Sequence, residues 1–448
     1  MVTVGCMTRR KEMKRLLVLA LTACMLGGTL AGCGSSGETG SASSEAAASS
    51  ESSDEKEVSM DMIWWTDGNE TVAMQKLIDE YHELHPNITI NIQEIAYDDL
   101  NTKLQMAIAG GEAPALSRGT ETTISKLHDS MVNLADYTDA DALSEQFLDS
   151  VDYLYKSDGQ LVALPTEVTA NGLVYNKTAF EAAGVAVPDS ADDIWTWDEF
   201  KEALQKVVDS GAVKYGMAVD NAAHRWSTIL YEFGGSLANE NGGNLSSQES
   251  LNAINFTKGL SEAGLFVDSV WLSGEDPNSL FRSGQLACQV SGTWMMQNYD
   301  TNITDFEWGV TYMPKGTTRS SVPGGKNITA FKGTGCEKEA VDFLLWVTEK
   351  EQNEQYCQES LYVSPRKDCS DIEYPVRAEE FAIFADELAN TPETAGFDLS
   401  MAGYTSVAYT DLKNYWPEVL AGTMSAEEMA ELIDQDTNSF MKENGFLK

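Results

Sequence analysis

Leu164-Pro165-Thr166-Glu167-Val168-Thr169-Ala170-Asn171-Gly172-Leu173-Val174-Tyr175-Asn176-Lys177 reads as a bend followed by a buried strand, and this reading decides the fold. Pro165 fixes a bend at which the chain can pass from one body to another, Leu173, Val174 and Tyr175 form a short buried strand, and Asn176 and Lys177 end it. Beyond it, 178–183 has helical composition closed by Gly184. Thr196 stands three residues before Glu199, the spacing of a reciprocal helix cap, ahead of Phe200, Leu204, Val207 and Val208. Upstream, Met60, Met62 and Trp64 alternate as in a strand, 71–84 has a helical apolar face, Ile88, Ile90 and Ile92 form a second strand, and 97–109 a second helix ended by Gly110 and Gly111. Strand, helix, strand, helix is the signature of a parallel sheet covered by helices.

Downstream, 251–264 reads as a helix, 287–294 as a strand, and 306–314 as a strand leading to a second crossing near Met313 and Pro314. A helix is expected at 339–348, and two more at 404–416 and 426–441. With 448 residues the chain is too long for one hydrophobic core, so two folded units are expected. The net charge of -40 argues against nucleic acid and anionic membrane surfaces, which need Lys and Arg to replace counterions.

The amino terminus has the pattern of a targeting segment. Arg9, Arg10, Lys11, Lys14 and Arg15 precede an apolar run at 16–26, and Leu30-Ala31-Gly32-Cys33 matches a bacterial lipobox, in which Cys33 becomes lipidated after removal of 1–32. A plain secretory signal with an incidental Cys is the alternative, and the start could be Met1, Met7 or Met13. The Gly, Ser, Ala and Glu of 34–57 lack large apolar residues and read as a tether. Cys288, Cys336, Cys357 and Cys369 permit disulfides, but their spacing names no pairs, and buried thiols fit equally well.

The 164–206 block, Phe281 and Gly284 before a strand ending in Gly292 and Trp294, Gly324-Gly325, and Val363-Ser364-Pro365-Arg366 together resemble the family 1 extracellular solute-binding proteins, the capture components of bacterial ABC importers. At 109–114, Ala-Gly-Gly-Glu-Ala-Pro stands where relatives read Gly-x-x-Pro-Asp; Ala115 replaces the Asp, and the stretch that follows is unusually polar. The resemblance implies a two-lobed α/β periplasmic-binding-protein-like fold of type II with three hinge crossings, lobe one at 58–165 and 315–362, lobe two at 166–314 and 363–448. It implies a lipid-anchored, monomeric receptor on the outer face of the cell membrane. The receptor closes over a carbohydrate and delivers it to permease subunits, with no cofactor, metal or covalent step.

A sugar needs an aromatic plane and a rim of directional polar groups. By resemblance Trp294 stacks on the solute; the alternative is a core Trp. One of Trp64 and Trp65 packs inside and the other faces the gap, with Trp65, Thr66 and Asp67 as the favoured set. Glu167 and Asn171 lie just past the first crossing, and Glu121 with Arg118 in the departing loop. Gly324, Gly325 and Asn327 offer close backbone approach, Arg366 a donor, and Trp226 and Tyr409 further aromatics. A solvated acid at Glu167, an ordinary turn at the glycines and a surface Arg366 remain open alternatives. No H-E-x-x-H, P-loop, G-x-G-x-x-G or G-x-S-x-G motif is present, and His82 with His85 reads as a solvated helix end rather than a metal site. The competing functions are a non-sugar solute such as a glycerophosphodiester or polyamine, and an exported polysaccharide-degrading enzyme.

Overall fold

The computed structural model describes residues 56–447 apart from 158, 370, 371 and 401. The targeting segment, Cys33 and nearly all of the tether lie outside the described residues. Nine main strands build two sheets: β1 (Val58–Trp64), β2 (Ile88–Glu94), β3 (Leu116–Gly119), β4 (Leu164–Thr169), β5 (Asn171–Asn176), β6 (Tyr215–Val219), β7 (Leu286–Gly292), β8 (Trp308–Thr311) and β9 (Gly324–Ala330). The first sheet has the order β2-β1-β3-β9-β4 and the second β8-β5-β7-β6. β1 pairs in parallel with β2 and β3, whereas β9 runs antiparallel to β3 and β4. Each sheet has its own apolar core, one centred on Met62, Leu77, Leu116 and Phe343, the other on Val174, Phe200, Ile229 and Trp416. The fold is therefore a two-lobed α/β architecture with one core per lobe.

Sequence pattern accounts for these elements. Met60, Met62 and Trp64 point into the first core while Ser59 and Asp61 stay exposed, as a half-buried strand requires. The Thr196–Glu199 capping box opens helix Trp197–Asp209, and Gly111, at φ 74°, closes helix Leu100–Gly110 in a left-handed turn. The polar run after Pro114 forms β3, a fully buried strand, because the charge of Arg118 is answered inside the lobe.

The chain first changes sheet at Ala170, between β4 and β5. Residues 315–322, expected with lobe one, bond instead to lobe two: Lys315 N–H donates to Trp195 O (2.8 Å) and Thr318 N–H to Glu232 O (3.1 Å). Residues 363–366, expected with lobe two, still pair with lobe one, where Val168 N–H donates to Val363 O (2.8 Å) and Leu148 N–H to Pro365 O (2.9 Å). Proline marks a bend; strand pairing, which the bend does not reveal, decides where a lobe ends. Cys288, Cys336, Cys357 and Cys369 are all free thiols.

The 313–319 segment of lobe two lies over a buried acidic pair. Glu232 has neither carboxylate oxygen hydrogen-bonded among the described residues. Glu387 accepts from Met313 N–H (3.1 Å) and lies 3.3 Å from Arg319, which also pairs with Asp386 at 2.7 Å. Burial pushes both carboxyls up, Glu387 to about 7 despite Arg319, and Glu232 well above its ordinary value, with Glu387 adding to the effect. Because the folded-state value lies above the unfolded one of 4.5, this stabilisation is complete below about pH 4.5 and is lost as pH rises through 7. The Glu387 share is on the order of 3 kcal/mol. Urea unfolding should give a lower midpoint at pH 8 than at pH 5, and Glu387→Gln should flatten that slope; a wild-type slope retained in the variant would contradict the assignment.

Candidate functional site

The lobes meet along a seam bordered by strand ends and by the loops that follow them. On lobe one, Glu70 at the start of helix Glu70–Leu84 organises the loop after β1: its carboxylate accepts from Thr66 Oγ1 (2.6 Å), Gly68 N–H (2.7 Å) and Tyr362 Oη (2.6 Å). Burial works against its charge, but Arg118 and these bonds outweigh it and hold the carboxyl down at about 2. The loop reaches lobe two, where a Cβ at Gly68 would lie 3.3 Å from Gln297 Cβ. Helix Glu121–Leu127 packs against helix Ala402–Leu420 of the other lobe. The lobes thus face each other closely.

Trp294 is half-buried at the seam and packs against the apolar cores of both lobes. The Arg225 guanidinium stands 4.6 Å from its ring and is itself paired with Asp220 at 3.1 Å. Gly292 is required beneath it, since a side chain there would collide with the indole and with the Ala170 carbonyl. His224 lies beside Pro323 O (3.4 Å) and the ring of Tyr409 (6.1 Å). Burial and then the charge of Arg225 press its imidazole down to about 3, so it is neutral at physiological pH. From lobe one, Tyr97 projects with 49 % of its surface exposed, and its hydroxyl feels Glu121 and Asp67 from its own lobe and Arg225 from the other.

Buried polar atoms with no hydrogen-bond partner among the described residues include Tyr153 Oη and both amide atoms of Asn327 on lobe one, and Asn171 Oδ1 and Thr293 Oγ1 on lobe two. Tyr153 has Glu121 and Tyr409 as electrostatic neighbours, which places its hydroxyl between the lobes. A hydroxyl-rich ligand offers donors and acceptors to satisfy such unpaired atoms.

Of the residues singled out from sequence, Trp294, Tyr409, Asp67, Glu121, Asn171 and Gly324 stand at or beside the seam, and Asn327 is fully buried in β9 of lobe one. The other six do not act as expected. Glu167 is fully buried and its carboxylate is taken up by Arg118 and Thr166. Trp226 is a core residue, with Nε1–H donating to Thr257 (3.1 Å) and its ring 5.0 Å from Trp416. Arg366 forks onto Asp368 (2.8 and 2.9 Å) and donates to Thr348 O (2.7 Å). Trp65, 2 % exposed, is packed by Arg118 at 4.5 Å and Tyr97 at 5.2 Å, so Tyr97 replaces it at the surface. Thr66 is tied to Glu70 and shapes the loop, and Gly325 lies against Leu154 and the Glu167 carbonyl, inside the sheet. His82 faces the Ile88 carbonyl at 2.6 Å, and no cluster of metal ligands occurs among the described residues.

Tyr97, Tyr153, His224 and Arg225 were not singled out. His224 and Arg225 had a signal: Trp226, Ile229 and Leu230 form the apolar stripe of helix Ala223–Glu232, which turns the two residues before Trp226 toward the outside of the lobe.

Two α/β lobes meet at a seam lined from both sides, with the Trp294 indole packed on both cores. Residues 76–383 match the family model described as bacterial extracellular solute-binding protein. The chain is 24% identical over 308 residues to an arabinooligosaccharide-binding protein of Halalkalibacterium halodurans, covering 65% of this chain and 68% of that one. It is 27% identical over 300 residues to a lactose-binding protein of Rhizobium radiobacter, covering 63% and 68%. An ABC substrate-binding protein from Listeria monocytogenes in complex with cycloalternan shares the fold at TM-score 0.72 and 21% identity, over 87% of this chain and 99% of that one. This chain belongs to the bacterial extracellular solute-binding protein family. No helix among the described residues is long and apolar enough to cross a membrane.

Proposed function

We propose that the protein binds a carbohydrate, specifically an oligosaccharide, between its lobes and delivers it unaltered to a membrane permease, acting as a monomer held at the outer face of the cell membrane through lipidated Cys33. The observation that carries this reading is the Trp294 indole at the seam, packed on the apolar cores of both lobes, in a molecule where each lobe also holds buried polar atoms without a partner among the described residues. An apolar face with a rim of hydroxyls answers both features. The arabinooligosaccharide and lactose relatives support the ligand class. A ligand touching both lobes shifts the population toward the closed form by its differential affinity.

A thermal-shift panel tests this. Maltotriose, arabinotriose, xylotriose or lactose should raise the denaturation midpoint, by about 2.7 kcal/mol of added stability at a hundredfold excess over Kd. Stabilisation by glycerophosphocholine or spermidine, and by no saccharide, would transfer the fold to another solute. Shortened sugars recovered after incubation would make it an enzyme.

A further inference from the structure

Lys326 on β9 is 8 % exposed, yet among the described residues no carboxylate lies within ion-pair distance of its ammonium and no acceptor takes its hydrogen bonds. Its one close partner is the ring of Tyr362, 4.8 Å away. Glu167 stands directly across the ladder but is engaged by Arg118 and Thr166. Strand alternation puts Lys326 on the same face as Gly324, and a Cβ at Gly324 would lie 3.7 Å from the His224 ring of lobe two. That face therefore looks across the gap. The charged groups bearing on the ammonium are Asp67, Glu70, Glu167 and Arg118 of lobe one, and it acts in turn on Glu121 and on His224.

We propose that Lys326 is a ligand-contacting residue of this cleft, its ammonium donating to an oxygen of the bound saccharide, either a hydroxyl of a neutral sugar or the carboxylate of a uronate. The inference rests on the carbohydrate reading above. An ammonium brings three donors and no acceptor; most of the Lys326 side chain is covered, but its Nζ is not among the buried polar atoms that lack a partner, so it keeps contact with solvent, while burial of the stem lowers its pKa, with Arg118 adding to the effect. Such a group is available to a ligand. A lysine held only for packing of its stem would behave in the opposite way in the following test.

Lys326→Met keeps the length of the side chain and removes the donors, and Lys326→Arg keeps the charge and moves them. Both are compared with wild type by urea denaturation without ligand and by calorimetric titration with maltotriose, arabinotriose, xylotriose, lactose and trigalacturonate. The expected result is an unchanged or raised denaturation midpoint for Lys326→Met, with affinity lowered about 10- to 100-fold for whichever saccharide wild type binds. Loss confined to trigalacturonate assigns the oxygen to a carboxylate, and loss on a neutral sugar assigns it to a hydroxyl. Unchanged affinity in Lys326→Met, or a lowered midpoint in either variant, overturns the proposal while leaving the carbohydrate reading standing. Wild type that binds no saccharide overturns both.

Discussion

Replacing Arg118 with Met should cost about 3–5 kcal/mol of folding stability near neutral pH, read as a lower urea midpoint with an unchanged slope. Arg118 is fully buried in β3. It pairs with Glu167 and, at 3.5 Å, with Glu70, and its Nη1–H donates to Trp65 O at 2.6 Å. The rings of Trp64 and Trp65 lie 5.0 and 4.5 Å from the guanidinium. Met fills much of the volume but leaves two buried carboxylates facing each other with no intervening cation. Glu70 owes its low pKa of about 2 to Arg118 before any hydrogen bond, so in the variant its carboxyl should rise. The loss should therefore shrink as pH falls and the acids take up protons. A loss under 1 kcal/mol at neutral pH would show that the network contributes little.

Trp294→Ala should weaken saccharide binding by about 30- to 1000-fold, the range of a buried aromatic hot spot of 2–4 kcal/mol. The indole is the one large aromatic at the seam that packs on the apolar cores of both lobes among Trp64, Trp65, Trp226 and Trp294. Its removal also takes away the surface on which Arg225 stacks, leaving that guanidinium its ion pair with Asp220. Trp294→Phe should recover part of the affinity by restoring a flat ring. Calorimetric titration of both variants checks this, and wild-type affinity in Trp294→Ala would contradict the role.

The lobe scaffold was legible because apolar periodicity is strong where one face of an element is buried. Met60, Met62 and Trp64, and the capping box before Phe200, are local signals that need no partner. β3 was not legible as a strand, because its Arg118 looks like a loop residue until Glu70 and Glu167, distant in sequence, come beside it. The same three-residue network removed Glu167 from the cleft, since one acid's role depends on a partner 49 positions away. Trp294 stood out through resemblance, whereas Tyr97 and Tyr153 did not, because a tyrosine on a short turn has no periodicity to place it. Trp226 is core by its helical spacing with Ile229 and Leu230, a position that its aromatic character alone does not reveal.

Most direct is a calorimetric titration of the wild-type protein with the saccharide that gives the largest thermal shift, followed by analysis of the recovered sugar. The account predicts one molecule bound per chain, a negative heat capacity change from burial of apolar surface, and the sugar returned intact. No heat with any saccharide, or recovery of cleaved product, would contradict it.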